Sequence, residues 1–206
     1  MSTTAAASSA ASAPTSVAAS PKASPARQRL LDAATDLFYS EGIHAVGVDR
    51  IIEAAGVTRA TMYKQFAGKE GLVLAYLMGE DRLLREMFGR ATGMSSDPLV
   101  LIDLTIAGVE SDIRDRHTRG CPFINAAAEY PDKGPVRELI ADHREWFRST
   151  LRQLAQAAGL TDPDDVAASL VLLRDAALVG GYLDGQERVA PAFARTARGV
   201  IAAHQA

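Results

Sequence analysis

The stretch AAGVTRATMYKQF, residues 54–66, places a glycine between two short segments in which apolar residues recur at helical spacing. Before Gly56, the segment GVDRIIEAAG has its apolar residues on one side of a helix and its charged residues on the other. Glycine readily adopts the left-handed conformation in which many helices end, and a threonine such as Thr58 is a good cap for the next helix. The sequence therefore predicts two short helices joined by a tight turn, a helix-turn-helix.

The rest of the chain also has helical periodicity, interrupted at glycine and proline. One helix is predicted to end at Gly42, before the helix-turn-helix, and a longer one to run over residues 69–91. Further helices are predicted over 98–115, 121–129, 135–158, 164–184 and 191–204. Because no segment alternates polar and apolar residues as a strand would, we predict an all-α fold of about nine helices.

Composition excludes several classes of protein. Apolar residues make up 48% of the chain and the net charge is −3, values typical of a folded globular protein rather than a generally basic polymer binder. The single cysteine rules out an internal disulfide, and no apolar run approaches the roughly 18 residues that a membrane span needs, so we expect a cytoplasmic protein without a membrane partner.

Three regions are expected along the chain. Residues 1–25 are rich in Ala, Ser, Thr and Pro and predict a disordered tail rather than a signal or transit peptide. Residues 26–72 are the predicted helix-turn-helix domain, and residues 73–206 the predicted second helical domain.

The third predicted helix has one face suited to DNA. If Met62 and Phe66, four residues apart, face the core, the remaining side chains largely face outward, and these are Arg59, Ala60, Thr61, Tyr63 and Lys64. A helix with such a face fits a major groove about 12 Å wide. Basic side chains donate to guanine edges or phosphates, and small methyl groups contact thymine methyls. The alternative is a solvated helix hairpin with ordinary surface charges.

Residues 27–75 resemble the DNA-binding domain of the tetracycline-repressor (TetR) family of transcription regulators. The pieces LFYSEG, IIEAAGV, TRATMYKQF and KEGL carry the resemblance, because they follow one another in the family's order and spacing. The resemblance implies base contacts by Arg59, Ala60, Thr61 and Lys64, and mostly phosphate contacts by Thr58, Tyr63, Gln65 and Lys69. One position departs from the family: Gly47 stands where a Thr or Ser usually caps the second helix and touches phosphate.

A single domain of this kind carries little positive charge. Residues 22–70 contain seven basic and six acidic residues, so specific binding depends on the placement of charges and on two domains acting together. We expect a homodimer that reads a palindromic operator in double-stranded DNA. Arg27 and Arg29 are candidates for additional contacts to the DNA backbone or minor groove.

The helices at 164–184 and 191–204 are the predicted dimer interface, because the first is apolar on nearly every side. Small residues at Ala167, Ala168, Ala176, Gly180 and Gly181 would allow close helix approach, and the last helix offers Phe193, Ala197, Val200 and Ile201. The alternative is that these residues line only the core of one protomer.

The middle helices, 98–115, 121–129, 135–158 and 164–184, are the candidate sensor of a small apolar or aromatic effector. Candidate ligand-binding residues are Phe123, Asn125, Tyr130, His143, Trp146 and Phe147. The alternative is that these aromatics are plain core. By the resemblance, ligand entry would move the fourth helix, which links pocket and DNA-binding head, and the protein would act as a repressor.

Cys121 lies beside His117 and Arg119, close to a predicted helix start, which would suit a redox-sensing thiolate. A small buried or capping residue is the preferred interpretation. We expect no enzyme, because no third group is evident that would orient a Cys–His pair. The histidines and the cysteine show no metal-ligand spacing, so no metal or cofactor is expected.

Overall fold

The computed structural model describes residues 24–205, and within that range the chain is all-α. It forms nine α-helices: α1 (Pro25–Glu41), α2 (Val48–Ala55), α3 (Arg59–Gln65), α4 (Gly68–Met94), α5 (Pro98–Ser111), α6 (Pro122–Glu129), α7 (Pro135–Ala157), α8 (Pro163–Asp184) and α9 (Gln186–Ala203). The all-α prediction is confirmed. Residues 1–23 of the predicted tail lie outside the described residues, while Ser24 caps α1 and Pro25 begins it.

Helices α1–α3, the predicted DNA-binding domain, form a head around one apolar core. Leu30 and Phe38 from α1, Ile51 from α2 and Met62 from α3 are all buried there. Gly56 ends α2 in the left-handed conformation, with φ +60°, and its N–H donates to the carbonyls of α2. The predicted helix-turn-helix therefore forms for the predicted reason, since glycine takes this conformation without steric cost.

Helix α4 connects the head to the C-terminal helices without interruption. Its first turns bury Leu72, Val73, Tyr76 and Leu77. The domain boundary expected at residues 72–73 therefore falls inside a buried stretch of continuous helix. A continuous helix can transmit displacement from one end to the other.

The helix predicted over 98–115 is α-helical only as far as Ser111. Residues Asp112–Arg116 form one π-helical turn, in which the N–H of His117 donates to the carbonyl of Asp112 at 2.8 Å. Such turns frequently mark functional sites, and hydrophobic spacing does not reveal them. Here the turn buries the side chains of Asp112 and Ile113 together.

Helix α8 packs on α7 and on α9, and these three helices form the bulk of the C-terminal domain. The last helix begins at Gln186, five residues before the predicted start, and holds Pro191 in its second turn. By length and composition alone α8 is apolar enough to cross a membrane, but a core helix of a helical domain passes the same test, so this does not contradict the expectation of no membrane partner. One side of α8 packs on α7 and α9, as in the core helix of a helical domain.

Candidate nucleic-acid interface and effector cavity

Helix α3 buries one side and exposes the other, as the spacing predicts. Met62 and Phe66 are 0% and 5% exposed, whereas Tyr63 is 54% exposed. Of the predicted contact residues, Thr58, Arg59, Ala60, Tyr63 and Lys64 are exposed, and Thr61, Gln65 and Lys69 are half-buried. The structure thus brings all eight to one end of the head, around α3 and the start of α4.

Thr58 caps α3. Its hydroxyl accepts a hydrogen bond from the Thr61 N–H at 3.2 Å and lies 2.9 Å from the Thr61 hydroxyl. Arg59 forms an ion pair with Asp49 of α2 in the free protein. The Lys69 ammonium lies 3.5 Å from the His44 carbonyl, and burial lowers its pKa. Arg59 and Lys69 are therefore held near the surface of the head before any DNA is bound.

Arg27 and Arg29 are used inside the head rather than left free for DNA. The Arg27 guanidinium donates to the Gln65 carbonyl at 2.8 Å and lies over the Phe66 ring, 4.1 Å from its centroid. Arg29 donates to the Ala55 carbonyl at 3.1 Å. Both side chains thus satisfy carbonyls at the C-terminal ends of α3 and α2, where cations are favourable.

Helix α2 of the head and the connecting helix α4 begin after residues that have no capping side chain, Gly47 and Ala67 respectively. The free N–H groups and the helix dipole at such ends favour an anion. Gly47 has φ −77° and ψ 152°, a conformation open to any residue, and no described atom lies within 4 Å of the place where its Cβ would be. A threonine there would fit.

A cavity of about 110 Å³ lies between α4, α5, α7 and α8. Its walls are mostly apolar and include Phe88, Leu104, Val109, Trp146 and Phe147. Asp112 and Arg174, at 5% and 4% exposure, also line it. An apolar cavity with a few polar groups is the usual form of a small-molecule site.

The predicted ligand-binding residues divide into three groups. Trp146 and Phe147 line the cavity. Phe123 and His143 are stacked on each other, with ring centroids 3.7 Å apart, and His143 lies beside Trp146 at 5.9 Å, so they back the cavity wall rather than line it. Helix α6 was predicted to line the cavity, but the cavity is lined by α4 instead.

Asn125 and Tyr130 lie elsewhere. The Asn125 amide donates to the Arg119 carbonyl at 3.1 Å and so holds the loop before α6. Tyr130 stacks on His44 of the head, with ring centroids 5.3 Å apart, beside Glu129, which accepts hydrogen bonds from the Ile43 and His44 N–H groups. Asn125 and Tyr130 therefore stabilise the contacts of α6 with the preceding loop and with the head, and both lie away from the cavity.

Cys121 is 0% exposed at the start of α6. Burial of the sulfur removes the solvent access that a redox-sensing thiol needs. The alternative of a Cys121 sensor is therefore disfavoured, and the interpretation of a small buried residue agrees with the structure. Among residues 24–205 no group of three His, Cys, Asp or Glu side chains is placed to hold a metal ion.

The sequence interpretation missed a buried charged cluster that joins the cavity to α4. Asp112 accepts from His117 Nδ1 at 2.6 Å, and Glu80 of α4 lies 3.3 Å from His117 Nε2 and 2.7 Å from Arg116. Burial alone would lower the pKa of His117, but its hydrogen bonds to Asp112 and Glu80 outweigh burial and raise that pKa. His117 thus bridges Asp112 in the cavity wall and Glu80 of α4.

One residue further along α4, Asp81 accepts from His143 Nδ1 at 2.8 Å and from Arg85 at 2.7 Å. Burial lowers the pKa of His143 to about 4, and the charge of Arg174 adds to that effect. Consecutive acidic residues on α4 therefore contact two buried histidines whose pKa values are shifted in opposite directions, upward for His117 and downward for His143.

Helix α8 exposes an apolar stripe along one side. Ala168, Leu172, Ala176, Val179 and Leu183 are all exposed, and they recur at intervals of three and four residues. Leu172 and Leu183 are each 70% exposed. An exposed apolar stripe of this length marks an interaction surface.

Other residues expected at the dimer interface are used within the protomer. Ala167 and Gly181 of α8 and Phe193, Ala197 and Ile201 of α9 are buried in the core of one chain. For these five, the alternative of an internal core role is the correct one.

The chain matches two family descriptions in sequence. Residues 30–76 match "Bacterial regulatory proteins, tetR family", and residues 100–197 match "Tetracyclin repressor-like, C-terminal domain". Together the two matches cover more than half of the chain.

Individual proteins agree with these matches. The crystal structure of SCO4454, a TetR-family transcriptional regulator from Streptomyces coelicolor, has 41% identity and a TM-score of 0.84, and covers 87% of this chain and 96% of that one. The transcriptional repressor KstR2 of Rhodococcus jostii is 30% identical over 74% of this chain and 76% of its own length. The regulator YxaF of Bacillus subtilis is 28% identical over 50% of this chain, and only 55% of that protein is covered.

Proposed function

Since the chain belongs to the tetracycline-repressor (TetR) family of DNA-binding transcription regulators, we propose that it is a homodimeric cytoplasmic repressor. In this proposal it binds a palindromic operator and leaves the operator when a small apolar effector binds. Proteins of this family are regulators rather than enzymes.

The observation that carries the proposal is the two-sided character of α3. Its apolar side is anchored in the head by Met62 and Phe66, so the opposite side is presented rigidly to the solvent. Arg59 and Lys64 on that side suit base edges, and Tyr63 suits phosphate. The uncapped starts of α2 and α4 would receive two further phosphates.

The exposed stripe of α8 supports the dimer. Pairing two copies of Ala168, Leu172, Ala176, Val179 and Leu183 would bury a continuous apolar surface and form a helical bundle around a two-fold axis. A two-fold axis relates the heads as it relates the halves of a palindrome, whose half-sites lie about one helical turn apart.

Helix α4 supports a mechanical link between effector and operator. Its first turns are packed in the head, Glu80 and Asp81 hold the two buried histidines, and its last turns line the cavity. A ligand that displaces the cavity-lining turns changes the position of the head through this one helix. The effector and the operator then favour different head positions, and their coupling is reciprocal.

Selection of bound DNA from a random pool tests the proposal. The full-length protein should enrich a two-fold repeat, and the double substitution Arg59→Ala and Lys64→Ala should abolish enrichment. Arg137→Ala, on the exposed surface of α7, is the matched control and should retain it. Enrichment of no sequence, or only of unpaired half-sites, would contradict the proposal.

A reporter experiment tests the direction of regulation. A promoter that carries the selected sequence should lose activity when the protein is present, and a rise in activity would make the protein an activator. Finding the same sequence upstream of the protein's own gene would indicate autoregulation. A ligand-blind regulator is the alternative, and the mostly apolar cavity between α4, α5, α7 and α8 argues against it.

A further inference from the structure

Arg174 is a buried cation whose charge is incompletely balanced by the protein. Its side chain is 4% exposed, and among the described residues it makes a single side-chain hydrogen bond, 3.5 Å long, to Asp175. That carboxylate is already engaged, since Asp175 holds Arg144 at 2.7 Å. A guanidinium has five N–H donors, so most of its hydrogen-bonding capacity is unused.

No other carboxylate supplies the missing partner. Asp112 lines the same cavity, but one of its oxygens lies 2.6 Å from His117, and the other, which accepts no hydrogen bond from a described residue, lies 3.8 Å from Arg116. Within residues 24–205, no acidic oxygen apart from that of Asp175 lies within 4 Å of the Arg174 guanidinium. Burial of a charge is costly unless it is paired and hydrogen-bonded, so this site favours an added anion.

The surroundings of Arg174 define the rest of the ligand. The guanidinium lies 4.9 Å from the centre of the Phe147 ring, and Phe147 and Trp146 line the cavity beside it. The cavity of about 110 Å³ is close in size to an engineered apolar cavity of roughly 150 Å³ that holds benzene. The space therefore suits one aromatic ring or an apolar group of similar volume.

We propose that the effector is a small apolar carboxylate of about one ring, whose carboxylate binds the guanidinium of Arg174 and whose apolar part lies against Trp146 and Phe147. This inference rests on the proposed ligand-responsive function and names the chemical class of the ligand. A planar carboxylate matches the two parallel N–H donors of a guanidinium, and such charge-assisted pairs are stronger than neutral hydrogen bonds.

Three ligands of similar shape and different charge test the inference: benzoate, neutral benzamide and cationic benzylamine. Binding to the full-length protein is measured by calorimetry and by quenching of Trp146, the only tryptophan. Benzoate should bind at least about tenfold more tightly than benzamide, with benzylamine weakest. Equal binding of benzoate and benzamide, tightest binding of benzylamine, or no binding of benzoate at about 10 mM overturns the inference.

Two substitutions locate the anion. Arg174→Gln should reduce the affinity for benzoate to that for benzamide and leave the affinity for benzamide within about twofold. Arg148→Gln is the matched control, because Arg148 is exposed on the same helix as Phe147, pairs with Glu145 rather than Asp175 and lines a different, open groove, and it should retain the preference for benzoate. An unchanged preference in Arg174→Gln contradicts the inference. If Arg174→Gln does not fold, the relative affinities of the native protein for benzoate, benzamide and benzylamine still test the inference.

Operator binding by the same preparation separates the two proposals. If the protein binds a palindromic operator but shows no preference for benzoate, only the ligand class is wrong. If it binds no operator, the proposed function is wrong, whatever the ligands show.

Discussion

The DNA-binding head and the C-terminal domain place their charged residues in opposite ways. In the head, Arg59 and Lys64 are exposed over an apolar core. In the C-terminal domain, Arg174, Asp112 and His117 are buried among apolar side chains. Exposed charges attract a polyanion and remain hydrated, whereas buried charges must find partners in fixed geometry. The first arrangement suits a long DNA surface, and the second suits one small ligand.

The two regions meet in α4, which contributes to both. Its head-facing turns pack with Phe38 of α1, whose ring lies 6.1 Å from that of Tyr76. Its middle turns reach the buried histidines through Glu80 and Asp81. Changes in the C-terminal domain should therefore affect DNA binding without touching the DNA surface, and the predictions below test this.

The largest effect is expected from Leu172→Asp, which lies far along the chain from the helix-turn-helix. Leu172 is 70% exposed on the stripe of α8, so the substitution should leave the protomer folded. In a dimer it would bring two negative charges into an apolar interface. Sedimentation should show a monomer, and operator binding should weaken by about 100-fold or more.

Ala141→Asp is the matched control for this prediction, because Ala141 is exposed on α7 and lines the open groove beside α6. It should remain dimeric and bind the operator normally. A Leu172→Asp protein that stays dimeric would show that the interface lies elsewhere.

The second effect is a pH dependence of opposite sign at the two buried histidines. Because the folded pKa of His117 is raised, its contribution to the free energy of unfolding is present below about pH 6.5 and lost as pH rises through the folded pKa. The folded pKa of His143 is about 4, so its contribution is present above about pH 6.5. It is lost as pH falls towards 4, by roughly 2–3 kcal/mol.

Urea unfolding between about pH 4 and pH 9 measures both contributions. His117→Gln should flatten the decline on the alkaline side, and His143→Gln the decline on the acid side. Gln156→Ala, at an exposed and non-ionisable position of α7, is the control and should alter neither slope. If both buried substitutions leave the pH profile unchanged, these histidines do not carry the assigned charges.

The third effect concerns the exposed face. Lys64→Ala should weaken binding to the preferred operator by roughly 1–3 kcal/mol and relax the choice of base at one position of each half-site. Tyr63→Phe, a neighbouring change, should weaken all DNA sequences alike. Quantitative binding to a panel of single-base operator variants distinguishes the two patterns. Uniform weakening by Lys64→Ala would make Lys64 a phosphate contact.

The smallest effect is a gain. Gly47→Thr adds a hydroxyl where α2 has no cap and where the backbone accepts a side chain. It should raise the melting temperature slightly and strengthen binding to all DNA sequences by about twofold to fivefold. Gly47→Ala lacks the hydroxyl and is the control. If Gly47→Thr and Gly47→Ala bind DNA with equal affinity, a hydroxyl at position 47 makes no phosphate contact.

The head was more predictable from the sequence than the cavity, for a physical reason. The functional face of α3 follows from local spacing, since burying Met62 and Phe66 leaves only one side free. The cavity is lined by residues of four helices, α4, α5, α7 and α8. The spacing of aromatic residues on α7 therefore identified Trp146 and Phe147, but not the lining residues that the other three helices contribute. Asn125 and Tyr130 are also residue types that suit a ligand site, yet their side chains contact the loop before α6 and His44 of the head instead of the cavity.

The buried charges were the least predictable feature. Arg174 lies in the apolar sequence of α8. From sequence alone, a charged residue in such a helix is expected on its solvent-exposed side. Asp112 is turned inward by a π-helical turn, which shifts side chains relative to ordinary helical spacing. Only the packing of α8 against the π-helical turn shows that these two residues face one cavity.

The most direct test of the link between cavity and head is the affinity of one effector for two states of the protein. Once an effector that releases the operator is known, its binding is measured by Trp146 fluorescence with free protein and with operator-bound protein. The account predicts weaker binding to the operator complex, by the same factor by which the effector weakens operator binding. Equal affinity for the two states would show that the cavity and the DNA-binding face are not coupled.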